Sequence, residues 1–236
     1  MNPLHIPLGL LLLASVQAPA PAAGATTDTL AAGQALAVGD RLVSSNGKFA
    51  LGFFQPTAAA ITSKSGNTTS PSWYLGIWFN SISVFTTVWV ANIEQPIADP
   101  KLTQLKISSD GNLAIVSHGS PESIVWSTHI VANRTTGAGT NTTSAVLLDT
   151  GNLALLGSPS SNVTLWQSFD YPTDVVLPGA KFGRNKLTGF SRRAVTRKSL
   201  IDPGLGSYSI EIDTSGVVLK HRSRSCTGAG RPERRH

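Results

Sequence analysis

Three short stretches of this chain share one template, a glycine followed by apolar residues two and four positions on. They are Gly47-Lys48-Phe49-Ala50-Leu51, Gly111-Asn112-Leu113-Ala114-Ile115 and Gly151-Asn152-Leu153-Ala154-Leu155. Each is answered downstream by a tryptophan behind an aliphatic residue, in Val88-Trp89, Val125-Trp126 and Leu165-Trp166. From glycine to tryptophan the second and third copies both measure 15 residues. The first is longer, and its extra residues fall in a Ser/Thr/Gly/Pro-rich stretch over 56–72. A unit of this size cannot bury a core alone, so the three must share one. Trp89, Trp126 and Trp166 are the expected anchors of that core, one per unit, because large aromatic side chains dominate the energetics of packing.

Between these landmarks the apolar and β-branched residues come in short runs, at 84–90, 102–107, 113–116, 124–126, 145–148 and 153–156. Asp-Gly, Thr-Gly-Asn and Ser/Pro clusters divide them and read as hairpin turns. Strands recurring roughly every ten residues fit an all-β sandwich, barrel or prism. No amphipathic helical period follows residue 25.

The N-terminus sets the compartment. Residues 8–16 form an apolar run too short to span a bilayer, and the small residues Ala18 and Ala23-Gly24-Ala25 offer cleavage positions after it. Residues 1–25 are therefore expected to be a secretory signal peptide, and the mature chain to be secreted or extracellular. Four N-glycosylation acceptors agree, Asn67, Asn133, Asn141 and Asn162, each in polar or turn-like sequence. No second apolar run reaches spanning length, so no membrane span is expected in the mature chain. The single cysteine, Cys226, cannot close an internal disulfide, and stability has to come from the core itself.

The residues around the repeat carry a resemblance. Asp28-Thr29-Leu30, Gly33-Gln34, Gly39-Asp40, Leu42-Val43-Ser44 and the run from Gly47 to Phe54 open it. Tyr74-Leu75-Gly76-Ile77-Trp78-Phe79 and Val88-Trp89-Val90-Ala91-Asn92 continue it. Its most specific piece is Leu165-Trp166-Gln167-Ser168-Phe169-Asp170-Tyr171-Pro172-Thr173-Asp174, followed by Leu177-Pro178-Gly179. With Leu187-Thr188-Gly189 and the segment 202–209 these cover residues 26–220, which resemble the bulb-type (G-type, mannose-binding-like) lectin domain of plant S-domain receptor-like serine/threonine kinases. The resemblance implies an all-β, β-prism II fold, three four-stranded sheets about a pseudo-threefold axis, followed by a partial second lectin-like β region. That agrees with the triplication. It divides the chain into a signal peptide at 1–25, the lectin domain at 26–168, the partial second (S-domain) region at 169–222 and a tail at 223–236 expected to be disordered. In that family Cys-rich modules, a transmembrane helix and a kinase would come next. Here the pattern dissolves over 225–236, so the chain reads as truncated before them, by a genuine stop, a retained intron, a shifted frame or a wrong gene model.

The resemblance further implies a sugar pocket in each repeat, of the pattern Gln-x-Asp-x-Asn-x-Val-x-Tyr. The Gln, Asp and Asn would bond the hydroxyls of an axial-2-OH sugar, the Tyr would add a contact and the Val would pack on the ring. Laid on this chain, the second repeat offers Ser108, Asp110, Asn112, Ala114 and Val116. The third offers Leu148, Thr150, Asn152, Ala154 and Leu156, and the first Ser44, Asn46, Lys48, Ala50 and Gly52. The candidate carbohydrate-binding residues are accordingly Ser108, Asp110, Asn112, Ala114, Val116, Thr150 and Asn152. Each missing polar partner forfeits a hydrogen bond of about 0.5–1.5 kcal/mol net, so the pockets are degenerate. Asp-Gly-Asn is also the chemistry of a tight turn, and for Asp110 and Asn112 both readings stay open.

Charge is uneven: 6 Lys/Arg and 9 Asp/Glu ahead of Lys181, 13 and 4 from there on. With no aromatics interleaved among the basic residues and no nucleic-acid motif, the basic segment is expected to be a solvated face, and nucleic acid is not an expected partner. There is no Gly-rich nucleotide loop, no Val-Ala-Ile-Lys, His-Arg-Asp or Asp-Phe-Gly element, no Gly-x-Ser-x-Gly elbow and no metal-ligand spacing. Neither catalysis, nor a cofactor, nor a metal is expected. Two function classes remain. One is a secreted recognition module for a mannose-type glycan. The other is a protein-interaction ectodomain fragment that takes a receptor ectodomain or peptide ligand, in cell-surface recognition or as a soluble partner or decoy. The sequence leaves the oligomeric state open.

Overall fold

The computed structural model describes residues 27–56, 72–130, 144–157, 163–199, 202–213 and 216–221. The expected signal peptide, the acceptors Asn67, Asn133, Asn141 and Asn162, and the tail at 223–236 with Cys226 lie outside the described residues.

The described chain opens with three short strands, β1 (Thr29–Ala31), β2 (Ala35–Ala37) and β3 (Arg41–Val43). Each carries one inward leucine, Leu30, Leu36 or Leu42, at 4% exposure or less. The two intervening turns are built alike. Gly33 and Gly39 take the positive φ, 85° and 101°, that a side chain would resist. The next residue then closes each turn in both directions. Gln34 and Asp40 donate their N–H to the carbonyls of Ala31 and Ala37, and their side-chain oxygens accept the N–H of the same residues at 2.9 and 3.0 Å.

The first sheet joins β3 to β4 (Phe49–Phe54), β5 (Tyr74–Phe79) and β6 (Thr87–Val90), in that order. The second joins β2 to β7 (Thr103–Ile107), β8 (Leu113–Ser117) and β9 (Ser123–Ser127). The third joins β1 to β10 (Ser144–Leu147), β11 (Leu153–Leu156) and β12 (Thr164–Gln167). All neighbouring strands are antiparallel. The all-β prism of three four-stranded sheets is thus the observed architecture, and the opening strands give one edge to each sheet in reverse order.

Register assigns the repeat differently from the Gly template. The tryptophan strand is fourth in every sheet, and opposite Trp89, Trp126 and Trp166 stand Ile77, Ile115 and Leu155 on the third strand. The true equivalent of β8 and β11 is therefore β5, whereas the Gly47 turn leads into β4, one strand earlier. Gly47, Gly111 and Gly151 share a positive φ, 73°, 82° and 82°, which is why their sequences look alike. The first-repeat positions Ser44, Asn46, Lys48, Ala50 and Gly52 are corrected accordingly: Ser72, Tyr74, Gly76 and Trp78 occupy the places of Asp110, Asn112, Ala114 and Val116.

The aliphatic-Trp dipeptide has a structural cause. In each sheet the pairing skips one residue at the same place, leaving Val88, Val125 and Leu165 as the extra residue of a β-bulge. A bulge breaks the strict in-out alternation of a strand and sharpens its twist. In the first two sheets the residue before the tryptophan then packs inward with it, Val88 buried and Val125 partly so. The indoles of Trp89, Trp126 and Trp166 meet as a triangle, every pair 5.9 Å apart and crossed at 66–76°. Such edge-to-face contacts set the positive ring edge on the negative face of the next ring. Around them the shared core gathers Leu30, Leu36, Leu42, Leu75, Leu113 and Leu153 among its members.

After a 3-10 turn at Ser168–Asp170 come a hairpin of β13 (Gly183–Arg184) and β14 (Ser191–Arg192) and a sheet of β15 (Ala194–Ser199), β16 (Asp202–Asp213) and β17 (Gly216–His221). Part of its basic charge is paired with acids, while Arg193, Lys198 and Lys220 stay about half exposed or more. Arg192 bonds Asp170 at 2.5 Å, Arg197 bonds Asp174, and Lys220 reaches Glu211 at 3.1 Å. The specific motif from Leu165 to Asp174 fastens this region to the prism. Its Tyr171 carbonyl accepts from the Trp89 indole at 3.0 Å, and its Thr173 carbonyl accepts the Val195 N–H at 2.8 Å.

Candidate functional site

The residues singled out for sugar lie around the start of the third strand of the second and third sheets, where Gly111 and Gly151 each deliver an Asn. In the second sheet the Asn112 side chain is saturated by the fold. Its carbonyl oxygen accepts the Thr128 hydroxyl at 2.9 Å and the Ile130 N–H at 2.6 Å, and its amide donates to Asp110 at 2.9 Å. The Thr128 hydroxyl in turn accepts the Leu113 N–H at 3.1 Å. Asp110 is exposed and accepts the Asn112 N–H at 3.0 Å. The Asn112 backbone and side-chain amides together hold its carboxyl below the ordinary value. Ser108 closes the turn, donating its N–H to the Asn112 carbonyl and accepting from Gly111 through its own.

The third sheet repeats this arrangement. The carbonyl oxygen of Asn152 accepts the Ser168 hydroxyl and the Phe169 N–H, both at 3.1 Å, and its amide donates to Gln167 at 2.9 Å. Ser168 accepts the Leu153 N–H at 2.9 Å, matching Thr128. Thr150 is exposed at the turn. In the first sheet the clip is made from the other side: Asn92 accepts the Leu75 N–H at 2.8 Å and donates to the Gln95 carbonyl at 2.9 Å. Asn92 was not singled out by the sequence. The signal available was a polar residue two or three positions after each tryptophan: Asn92, Thr128, Ser168.

The remaining positions face no solvent. Ala114 and Val116 are 1% and 2% exposed, which leaves neither a surface for a sugar ring. In the first sheet, a Cβ on Gly76 would lie 2.7 Å from the Phe54 ring. Trp78 sits 5.4 Å from Phe85 and 6.5 Å from Phe54, so aromatic rings cluster on this sheet. Of the sequence candidates only Asp110 and Thr150 combine exposure with polar atoms. Among the described residues no group of three or more His, Cys, Asp and Glu could hold a metal ion, and no helix is long and apolar enough to cross a membrane.

Residues 86–198 match the family described as D-mannose binding lectin. The chain carries a bulb-type (G-type) lectin domain. The lectin chain is homologous over about 80% of its length to the N-terminal region of plant G-type lectin S-receptor-like kinases. It is 39% identical over 196 residues to the G-type lectin S-receptor-like serine/threonine-protein kinase SRK of Arabidopsis thaliana, covering 81% of this chain and 20% of that protein. It is likewise 39% identical over 200 residues to the receptor-like serine/threonine-protein kinase SD1-8 of the same plant, covering 83% and 21%. The lectin chain thus spans about a fifth of the length of these relatives, and the matched stretch takes in no kinase domain. Among solved structures, a Japanese Marasmius oreades lectin aligns at 17% identity and a TM-score of 0.37, over 60% of this chain and 90% of that one.

Proposed function

We propose that this chain is a secreted, non-catalytic recognition module whose ligand class is carbohydrate and whose strand pockets no longer read mannose. The match to the lectin family supports the ligand class. The saturation of Asn112 and Asn152 supports the loss, since an amide that already gives and accepts its hydrogen bonds within the fold has little left for a sugar hydroxyl. The apolar run at 8–16 and the four acceptor triplets support secretion. The test is a glycan array probed with the full chain secreted from plant cells, with free mannose as competitor. Bound glycan that mannose fails to displace, and that Asp110→Ala leaves bound, is the expected result. Binding abolished by mannose or by Asp110→Ala would restore the strand pockets.

A protein-interaction ectodomain is the second reading, favoured by one observation. β16 and β17 expose Ile210, Val217 and Leu219 at 42%, 73% and 67%, with Ile210 directly opposite Leu219. An exposed apolar patch of this kind suits a receptor ectodomain or a peptide ligand. Capture of such a partner, with a silent glycan array, would select it.

A further inference from the structure

Where β6, β9 and β12 end, the tryptophan triangle borders a cleft of about 610 Å³. The segments that follow each tryptophan line it, and Phe190, Arg193 and Val195 of the next region complete it. We propose that this cleft, and not the third-strand positions, is the saccharide site of the chain, and that it takes an uncharged sugar ring. The proposal rests on the carbohydrate reading above and adds the place and the charge class of the ligand.

Four observations converge. The volume lies in the range of small-ligand sites. The cleft presents a held aromatic plane: Tyr171 stacks on Trp166 at 5.4 Å and 14°, Phe190 meets it edge-on at 5.4 Å, and Tyr171 stays 45% exposed. The C–H face of a pyranose packs on such a plane while its hydroxyls point away. Thr173 lines the same cleft, is 7% exposed, and its hydroxyl has no hydrogen-bond partner. Buried hydroxyls without a partner are rare in native folds, and because this oxygen is itself covered, a ligand hydroxyl supplies the partner only as the cleft wall opens. Charge bears on the class. Asp170 is neutralised by Arg192 at 2.5 Å and Arg193 faces Glu211 at 3.5 Å, leaving Glu94 as the lining carboxylate without an ion-pair partner among the described ion pairs. With Lys220 holding Glu211 at 3.1 Å, Arg193 balances Glu94, and a lining without net charge gives a uronate no advantage over a neutral sugar.

The three indoles on the cleft report occupancy by their own fluorescence. The full chain is titrated with cellotriose and xylotriose as neutral probes and with trigalacturonate as the acidic one. At least one neutral trisaccharide should shift the emission, and trigalacturonate should not bind more tightly. Tyr171→Ala should weaken that binding about tenfold, the loss of one stacking contact. Thr173→Val should weaken it about two- to tenfold, the worth of one hydrogen bond, with the melting temperature unchanged or raised, because no protein partner is lost and an unsatisfied hydroxyl is removed. A neutral sugar that binds both variants as tightly as the parent and is lost on Asp110→Ala places the site on β8, overturning the cleft while the carbohydrate reading stands. Preference for trigalacturonate overturns the charge class. A chain that binds none of the probes and no glycan on an array removes the carbohydrate reading and this site with it.

Discussion

Asn112 and Asn152 look like remnants of a sugar site, but each works as a clip between the third strand and the segment beyond the tryptophan. Asn112→Ala leaves the Thr128 hydroxyl and the Ile130 N–H without their acceptor in a buried setting. We expect a loss of about 2–3 kcal/mol, read by urea denaturation, against less than about 1 kcal/mol for Asp110→Ala at the exposed side of the same turn. If the Asn served sugar alone, neither variant would move the midpoint. The carboxylates give a pH signature. The Thr29 hydroxyl, then the Ser45 hydroxyl, holds Asp28 below its ordinary 3.8, and the Asn112 N–H, then its side chain, does the same for Asp110. With the folded values depressed, the unfolded chain takes up protons first. The stability these groups contribute is therefore whole above pH 3.8 and is lost as the pH falls below it through their native values. The double variant Asp28→Asn with Asp110→Asn should show a shallower acid-side fall in melting temperature than the parent.

At the scale of the element, two turn glycines separate backbone strain from crowding. Gly39 has φ 101°, and a Cβ there would meet nothing within 4 Å, so Gly39→Ala should lose only the left-handed penalty, about 1–2 kcal/mol. Gly151 has φ 82°, and a Cβ there would stand 2.6 Å from Leu177 and 2.9 Å from the Phe49 ring. Gly151→Ala should lose about 1–3 kcal/mol more through overpacking, and equal midpoints for the two variants would refute the crowding. These turns mark how much was legible. Gly-x-apolar-x-apolar is the entry to any hairpin, so the template named the turns correctly and put Gly47 on the wrong hairpin. The aliphatic-Trp pairs were visible because a bulge suspends alternation locally. The edge pairing of β1, β2 and β3 was not, since Leu30 stands opposite Ala145 and Leu36 opposite Leu105, partners that no local pattern names. The saturation of Asn112 was hidden for the same reason: Thr128 and Ile130 come from beyond the next strand.

For the whole molecule the question is how the prism and the sheet of β15, β16 and β17 depend on one another. The prism holds its own core, closed by the three opening leucines and the three indoles. The later sheet exposes Tyr208, Ile210, Val217 and Leu219 and has little core beyond Ala194 and Ser209 among its buried residues. Its position is fixed by the joints at 170–174, above all the pair of Asp174 with Arg197, whose side chains are 19% and 22% exposed. Arg197 also reaches the Thr87 carbonyl on β6 at 3.5 Å, so one guanidinium spans both parts. Asp174→Asn removes the charge from that joint and leaves a half-buried cation, a local loss of about 1.5–3 kcal/mol. Because the prism core is untouched, the loss should appear as early opening of the later sheet and not as a lower prism midpoint. Amide exchange should accelerate across 194–213 while Leu113 to Ile115 and Leu153 to Leu155 stay protected. Uniform acceleration through both parts would mean that the two regions unfold as one cooperative unit, with the motif from Leu165 to Asp174 as an interior element of it.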